Sequence, residues 1–341
     1  MKNNNSYKVL GLMSGTSLDG LDIALCSFSK QEDKWSYKII QSQTLDYSSA
    51  LRSKLRKSNQ LTGLELTELD YELGRFFGES VIQHYDPDLY DFIASHGHTD
   101  FHQPENGLNI QIGNGQIINS LTKKPVVWDF RTQDMLLGGQ GAPLVPLADR
   151  QLFGEFDYCI NLGGIANISF EKNQERLAYD IGPCNMVLNQ LAQKLGLEFD
   201  QNGKVAESGT VLTDLLDKWN NHTYFSKSWP KSLGYEWVSK NYFSDLDDKS
   251  YQINDLMATA VEHISQIIIR SIGHDTNASV LMTGGGAKND FLIQRIRHYC
   301  PSNIAIVLPD KSIIDFKEAV SFAYLGLLKV ERRINVLASV T

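Results

Sequence analysis

Tyr7-Lys8-Val9-Leu10-Gly11-Leu12-Met13-Ser14-Gly15-Thr16-Ser17-Leu18-Asp19-Gly20-Leu21-Asp22-Ile23-Ala24-Leu25-Cys26-Ser27-Phe28 is the stretch on which the reading of this chain turns. Residues 7–12 and 21–28 pattern as strands, so 13–22 is predicted to be the tip of a hairpin. That tip carries two glycines, three hydroxyls and two carboxylates. Glycine lets backbone N–H groups converge on phosphate oxygens, and Thr16 and Ser17 can add hydroxyl donors. Asp19 or Asp22 can hold a hydrated magnesium ion against those phosphates. A polar turn that binds nothing has the same composition, so the loop needs support from elsewhere in the chain.

The chain has 341 residues, enough for two domains that each bury a core. A formal charge of −8 argues against a sequence-independent nucleic-acid surface. The local basic cluster Arg52, Lys54, Arg56 and Lys57 reads as one solvated helix face. The stretch Met1-Lys2-Asn3-Asn4-Asn5-Ser6 has no apolar signal core, and no later apolar run approaches the roughly 18 residues of a membrane span. Cys26, Cys159, Cys184 and Cys300 are scattered without a C-x-x-C pair, which suggests neither a zinc site nor a disulfide framework. A soluble cytoplasmic protein is expected.

Strand-like runs such as Phe92-Ile93-Ala94-Ser95, Tyr158-Cys159-Ile160-Asn161-Leu162 and Val280-Leu281-Met282 alternate with helical periodicity along the whole chain, an α/β pattern. Apolar residues at three- and four-residue steps predict helices over about 65–85 and 253–270. Glycine and proline interrupt the pattern at Gln140-Gly141-Ala142-Pro143-Leu144-Val145-Pro146, which suggests domains spanning 1–143 and 144–341. A second strand, glycine turn and strand follows at 158–170, centred on Gly163-Gly164, and hints at duplication. A plain type I′ hairpin turn is the alternative for that glycine pair. The third cluster, Thr283-Gly284-Gly285-Gly286-Ala287-Lys288-Asn289, lies between a strand and a helix expected over 289–299. Backbone groups there can approach a nucleotide. Neither the G-x-x-x-x-G-K-[ST] spacing nor a convincing G-x-G-x-x-G fingerprint occurs, which argues against the P-loop and dinucleotide readings.

Residues 13–22, 161–167 and 284–289 together resemble the anhydro-N-acetylmuramic acid kinases, members of the hexokinase, actin and heat-shock chaperone ATPase superfamily. Ser95-His96-Gly97-His98-Thr99, Asp129-Phe130-Arg131, the 137–146 segment and Pro230-Lys231-Ser232-Leu233-Gly234-Tyr235-Glu236 look like further family motifs, in the family's order. The resemblance covers nearly the full chain. It implies an α/β fold of two ribonuclease-H-like (actin-like ATPase) domains with the active site in the interdomain cleft. It also implies a cytoplasmic homodimer acting in peptidoglycan recycling, without nucleic-acid or membrane partners.

The reaction implied uses ATP, magnesium and water to open the 1,6-anhydro ring of 1,6-anhydro-N-acetylmuramic acid and to phosphorylate the released 6-oxygen. It needs a base for the attacking water, while phosphoryl transfer can replace protonation of the leaving oxygen. The resemblance assigns the base to Asp180, in Asp180-Ile181-Gly182-Pro183-Cys184-Asn185. The family's motif is Asp-Thr-Gly-Pro-Gly-Asn. Ile181 and Cys184 depart from it, with expected loss of a hydrogen bond and of backbone freedom, and a helix cap or turn is the structural alternative for Asp180. ATP is expected to meet Gly15, Thr16, Ser17, Leu18, Asp19, Gly20, Leu21, Asp22, Asn161, Gly163, Gly164, Gly284, Gly285, Gly286 and Asn289, with Asp19 contacting the metal. Arg131, Asp129, His96 and Glu318 are expected at the sugar, Arg131 offering a planar donor fork to the lactyl carboxylate. Asp129 can instead pair with Arg131 structurally, and Glu318 can simply lie on the exposed face of the last helix. His96, His98 and His102 fit a sugar loop better than a metal cluster. Two other readings share the nucleotide loops: a related sugar or carboxylate kinase without ring hydrolysis, and an ATP-driven conformational module.

Overall fold

The computed structural model describes residues 5–15, 17–32, 34–272, 277–337 and 340; Thr16 therefore lies outside the described residues. The chain divides into two compact units, Met1–Gly154 with Phe316–Thr341, and Glu155–Asp315. The first contains β1 (Ser6–Ser14), β2 (Gly20–Gln31), β3 (Lys34–Asp46), β4 (Phe92–Ser95), β5 (His98–Gln103), β6 (Leu108–Ile112) and β7 (Val126–Val127). Its main sheet has the order β3-β2-β1-β4-β7, with β5 and β6 forming a separate pair. The second contains β8 (Tyr158–Leu162), β9 (Ile165–Lys172), β10 (Glu175–Pro183), β11 (Ala278–Thr283) and β12 (Ile304–Val307), in the order β10-β9-β8-β11-β12.

The two sheets repeat one topology. Each opens with an antiparallel hairpin, β1 with β2 and β8 with β9, and each then adds a strand parallel to the first, β4 beside β1 and β11 beside β8. The duplication hinted at by the two glycine hairpins is thus an α/β architecture used twice. Inner strands such as β1 and β11 are almost continuously apolar and buried, as strands covered on both faces must be.

The unit boundary differs from the expected 143/144 crossing in two ways. The proline-initiated helix Pro146–Leu152 stays with the first unit, tied there by Gln151, which accepts from the Tyr324 hydroxyl at 2.5 Å, and by the Phe153 ring, 5.4 Å from Tyr37. The last helix, Lys311–Val330, also belongs to the first unit from Phe316 onward. A Cβ on Gly11 would lie 2.1 Å from the Ala319 carbonyl oxygen, and one on Gly326 would lie 2.6 Å from Ala94 Cβ. Missing side chains on both sides let helix and strands meet closely, a tertiary fact that local proline and glycine signals do not carry. This docking also sets Glu318, next to Ala319, against the first unit's sheet.

The expected helices form at Gly63–His84, with a Thr62/Glu65 capping box, and at Ile253–Ser271, whose apolar stripe sits in the second unit's core. Among the described residues, no helix is long and apolar enough to cross a membrane.

Candidate active site

The β1–β2 turn is held from beneath. Ser14, at the end of β1, accepts a hydrogen bond from Tyr47 at 2.6 Å and lies 2.9 Å from His98 Nδ1, all three residues being buried. Burial pushes His98 down to about 4, so its ring is neutral at ordinary pH. Beyond Ser14, Leu18 takes φ +60° and its N–H closes on Gly15 O at 3.2 Å. Ser17 and Asp19 are exposed, and Arg52 reaches the Asp19 carbonyl at 3.4 Å.

Members of this loop separate by role. Asp22 lies inside β2 opposite Met13, and its carboxylate accepts from Thr44 on β3 at 2.5 Å. Gly20 is required by close strand approach, because a Cβ would meet Leu45 O at 2.4 Å. Leu21 is a fully buried core residue. Within the basic cluster read as one solvated face, Lys54 pairs with Glu72 at 2.6 Å while Arg52 turns to the loop.

A charged group forms elsewhere in the same unit. Arg131 Nε donates to His96 Nε2 at 3.0 Å and Nη1 to Gly141 O at 2.8 Å. The fork is therefore largely engaged, and no hydrogen bond from Nη2 occurs among the described residues. Burial lowers the guanidinium to about 10, while the charges of Glu318 and Asp134 work against that fall. Burial raises the Glu318 carboxyl, while Lys317 and Arg131 hold it down. Glu318 itself accepts no hydrogen bond among the described residues. Beside it, Lys317 and Asp149 form an ion pair of 2.8 Å with both side chains 5% exposed.

Arg131, His96 and Glu318 are thus brought together, and the exposed-face alternative for Glu318 does not hold. Asp129 is different: it takes φ +58° ahead of the helix Phe130–Leu136 and its side chain caps nothing. The charges acting on Arg131 are Glu318 and Asp134, not Asp129. His98 bonds to Ser14 and His102 to Asn109, so the three histidines do not converge, and no group of His, Cys, Asp and Glu suited to a metal occurs among the described residues.

In the second unit the Gly163-Gly164 turn and the 284–286 turn meet at the start of the helix Asn185–Lys194. Neither Gly163 nor Gly164 has a left-handed φ, so the turn is not type I′. Their carbonyls instead receive the N-terminal amides of the helix Asn185–Lys194: Cys184 and Met186 donate to Gly164 O at 2.9 and 3.0 Å, and Asn185 donates to Gly163 O at 3.1 Å. The Asn185 side chain donates to Leu162 O at 2.8 Å. At the end of β11, Gly284 takes φ +83°, and a Cβ there would lie 2.3 Å from Asn161 Oδ1. A Cβ on Gly285 would meet Asn185 Nδ2 at 3.5 Å, and one on Gly286 would meet Leu162 Cβ at 2.8 Å. Asn161 and Asn185 therefore lie against bare backbone of the 284–286 turn. Asn289 points elsewhere: its buried Oδ1 caps the helix Asp290–Tyr299 by accepting from Leu292 N–H at 2.9 Å.

Asp180 lies within β10 rather than at its end, and it is neither a helix cap nor a turn residue. The β9–β10 ladder slips here: Asp180 pairs with Asn167 and Gly182 with Ala166, leaving Ile181 as the extra residue of a bulge. Ile181 is 1% exposed in the core, where an apolar side chain fits, and Cys184 is likewise sealed, its thiol pushed up to about 12 by burial. The Asp180 amide donates to Lys231 O at 3.3 Å, its carbonyl accepts from Tyr224 OH at 2.5 Å, and Oδ2 accepts from Leu233 N–H at 2.9 Å. Oδ1 has no protein partner among the described residues. Burial pushes the carboxyl up to about 6, with the Leu233 amide acting against it. Sequence reasoning assigned no role to Asn185, Tyr224 or Leu233. The only available signals were the retained asparagine after Cys184 and the 230–236 motif.

The model of the family described as anhydro-N-acetylmuramic acid kinase matches residues 7–341. The anhydro-N-acetylmuramic acid kinase of Aliivibrio fischeri is 35% identical over 342 residues, covering 94% of this chain and 91% of the relative. That of Nitrosomonas europaea is 34% identical over 351 residues, covering 97% and 95%. Among solved structures, the activator of the 2-hydroxyisocaproyl-CoA dehydratase from Clostridium difficile with bound ADPNP is similar at 14% identity and a TM-score of 0.44, covering 97% of this chain and 100% of that one.

Proposed function

The chain belongs to the anhydro-N-acetylmuramic acid kinase family and is a phosphotransferase, and on that premise we propose that it hydrolytically opens the 1,6-anhydro ring of 1,6-anhydro-N-acetylmuramic acid while phosphorylating the 6-oxygen from ATP. The products are N-acetylmuramic acid 6-phosphate and ADP, a step in the recycling of peptidoglycan. The observation that carries this reading is Asp180: a carboxylate near pKa 6 with one oxygen fixed and the other unpartnered. Such a group is charged at neutral pH and still basic enough to take a proton from water.

In the proposed step, water oxygen attacks the anomeric carbon and Asp180 accepts its proton. The bond from that carbon to O6 breaks, O6 takes the γ-phosphoryl group, and the bond to the β-phosphate oxygen breaks to release ADP. In the first unit, Arg131 Nη2 and Glu318 are assigned to the sugar, with His96 holding Arg131. The backbone amides of Gly15 and Ser17 are assigned to phosphate, with Leu18 closing the turn through its N–H to Gly15 O. In the second unit, Asn161, Gly163, Gly164 and Gly284 to Gly286 are assigned to the nucleotide.

Magnesium fits at Asp19, which is exposed and whose carboxylate has no protein partner among the described residues. A magnesium ion bound there with ATP would supply charge neutralisation on the phosphates. Asp22, bonded to Thr44, acts as a structural carboxylate.

The test is turnover of the anhydro sugar with ATP in ¹⁸O-labelled water. One labelled oxygen in the anomeric hydroxyl and one ADP per sugar are expected. Phosphorylation of simple hexoses without label would point instead to a related sugar kinase that lacks ring hydrolysis. ATP turnover indifferent to every sugar would point to a conformational module.

A further inference from the structure

Outside the β9–β10 ladder, the three hydrogen bonds to Asp180 among the described residues come from one stretch, residues 224–233. We propose that this stretch is a clamp that positions the base: Tyr224 holds the Asp180 carbonyl and the Leu233 amide holds Oδ2, so that Oδ1 is presented to the attacking water. The proposal rests on the reading of Asp180 as the base and assigns Tyr224 as a positioning residue.

The bulge explains the need for such a device. A slipped ladder leaves backbone groups without their usual strand partner, and a bulged residue turns easily. The Tyr224 hydroxyl takes up the Asp180 carbonyl at 2.5 Å from a residue only 3% exposed. Its ring is fixed against Trp237 at 5.2 Å and Phe225 at 5.7 Å, and Phe225 in turn meets the buried His263 ring at 5.2 Å. His263 is itself tied on both nitrogens, to Asn220 Oδ1 at 2.8 Å and Tyr242 OH at 2.9 Å. The clamp therefore stands on the core beside the helix Ile253–Ser271. At its far end, Lys231 Nζ lies 4.8 Å over the Tyr224 ring and 5.1 Å over Tyr179, tying the segment back to β10. A misplacement of about 1 Å in a reacting group can reduce a rate by roughly 100-fold, so loss of one bond in this chain should register in turnover.

The test is Tyr224→Phe, which keeps the ring contacts and removes the donor, measured beside Asp180→Asn. The expected result is a kcat lowered roughly 10-fold, with KM for ATP and for the anhydro sugar unchanged within about twofold. Circular dichroism and a melting curve establish the folded fraction, so that kcat refers to folded enzyme. A Tyr224→Phe enzyme that melts earlier but turns over at the wild-type rate, beside an inactive Asp180→Asn, overturns the clamp and leaves the base in place. An active Asp180→Asn overturns the base itself, and the clamp with it.

Discussion

Arg131 Nε donates to His96 Nε2 across 3.0 Å, and this contact fixes the tautomer of that imidazole. Arginine has no acceptor, so Nε2 must be unprotonated, and the ring proton lies on Nδ1, donated to Gly97 O at 3.0 Å. The ring is also packed 4.3 Å from Phe322. Burial first, and the neighbouring guanidinium second, hold His96 well below the ordinary imidazole range.

Neutral His96 is the first prediction. Nitrogen-detected NMR should show its Nε2 as an acceptor without titration near pH 6.5, the ordinary value for about any exposed histidine. The linkage has a definite sign. The unfolded chain takes up this proton below about pH 6.5 and the folded chain does not, so this group makes stability fall as pH is lowered through that range. His98, at about 4, acts in the same direction. A ring titrating normally in folded protein would remove both the tautomer and the acid sensitivity.

Asp180 should set the acid limb of activity. With its carboxyl raised to about 6, kcat/KM for the sugar should fall tenfold per pH unit below about pH 6 and be flat above it until another group titrates. The pH profile of initial rates checks this. A limb near pH 4 would mean that the base is a solvated carboxylate and not this one.

The same raised carboxyl should weaken the fold at neutral pH. Between about pH 4 and 6 the folded state holds a proton that the unfolded state has lost, so stability from this group falls as pH rises through that window. Asp180→Asn removes the charge while its amide oxygen can still accept from Leu233. The variant should be inactive yet more stable at pH 7 by about 1–3 kcal/mol, with the gain vanishing near pH 4. Urea unfolding at both pH values is the measurement. Equal stability of the two proteins at pH 7 would show that the charge is not desolvated.

What was legible in the chain follows a physical line. Hairpins and glycine turns are written locally, so both repeats, the long helices and the three glycine turns could be read from periodicity and composition. Roles that depend on tertiary partners could not. Asn289 has the same residue type as Asn161, yet one caps a helix and the other faces bare backbone at Gly284. Asp129 sits two residues from Arg131, but the charges that act on the guanidinium come from Asp134 and from Glu318 on the last helix. Gly20, expected at the phosphates, carries a tertiary constraint of its own, since a Cβ there would meet Leu45 O on β3 at 2.4 Å, a contact set by strand pairing. Tyr224, distant in sequence from Asp180, carried no local signal at all.

Gly284 offers the sharpest test of the proposal that the second unit's 284–286 turn meets the nucleotide. It takes φ +83° with ψ 172°, a region essentially restricted to glycine, and a Cβ there would stand 2.3 Å from Asn161 Oδ1 and 3.0 Å from the Leu162 carbonyl. Gly284→Ala must therefore strain its own backbone and displace Asn161, at a cost of about 1–3 kcal/mol. If the turn serves only the fold, stability should drop and ATP affinity should follow the folded fraction. If it meets the nucleotide, calorimetric titration of folded variant should show ATP binding weakened by at least roughly tenfold, because a methyl group would also occupy the space where bare backbone approaches the ligand. The comparison with Gly20→Ala separates the two cases. That glycine is equally tight, with a Cβ 2.4 Å from Leu45 O, but the clash is with a neighbouring strand, so its substitution should reduce stability with a smaller change in ATP affinity per folded molecule.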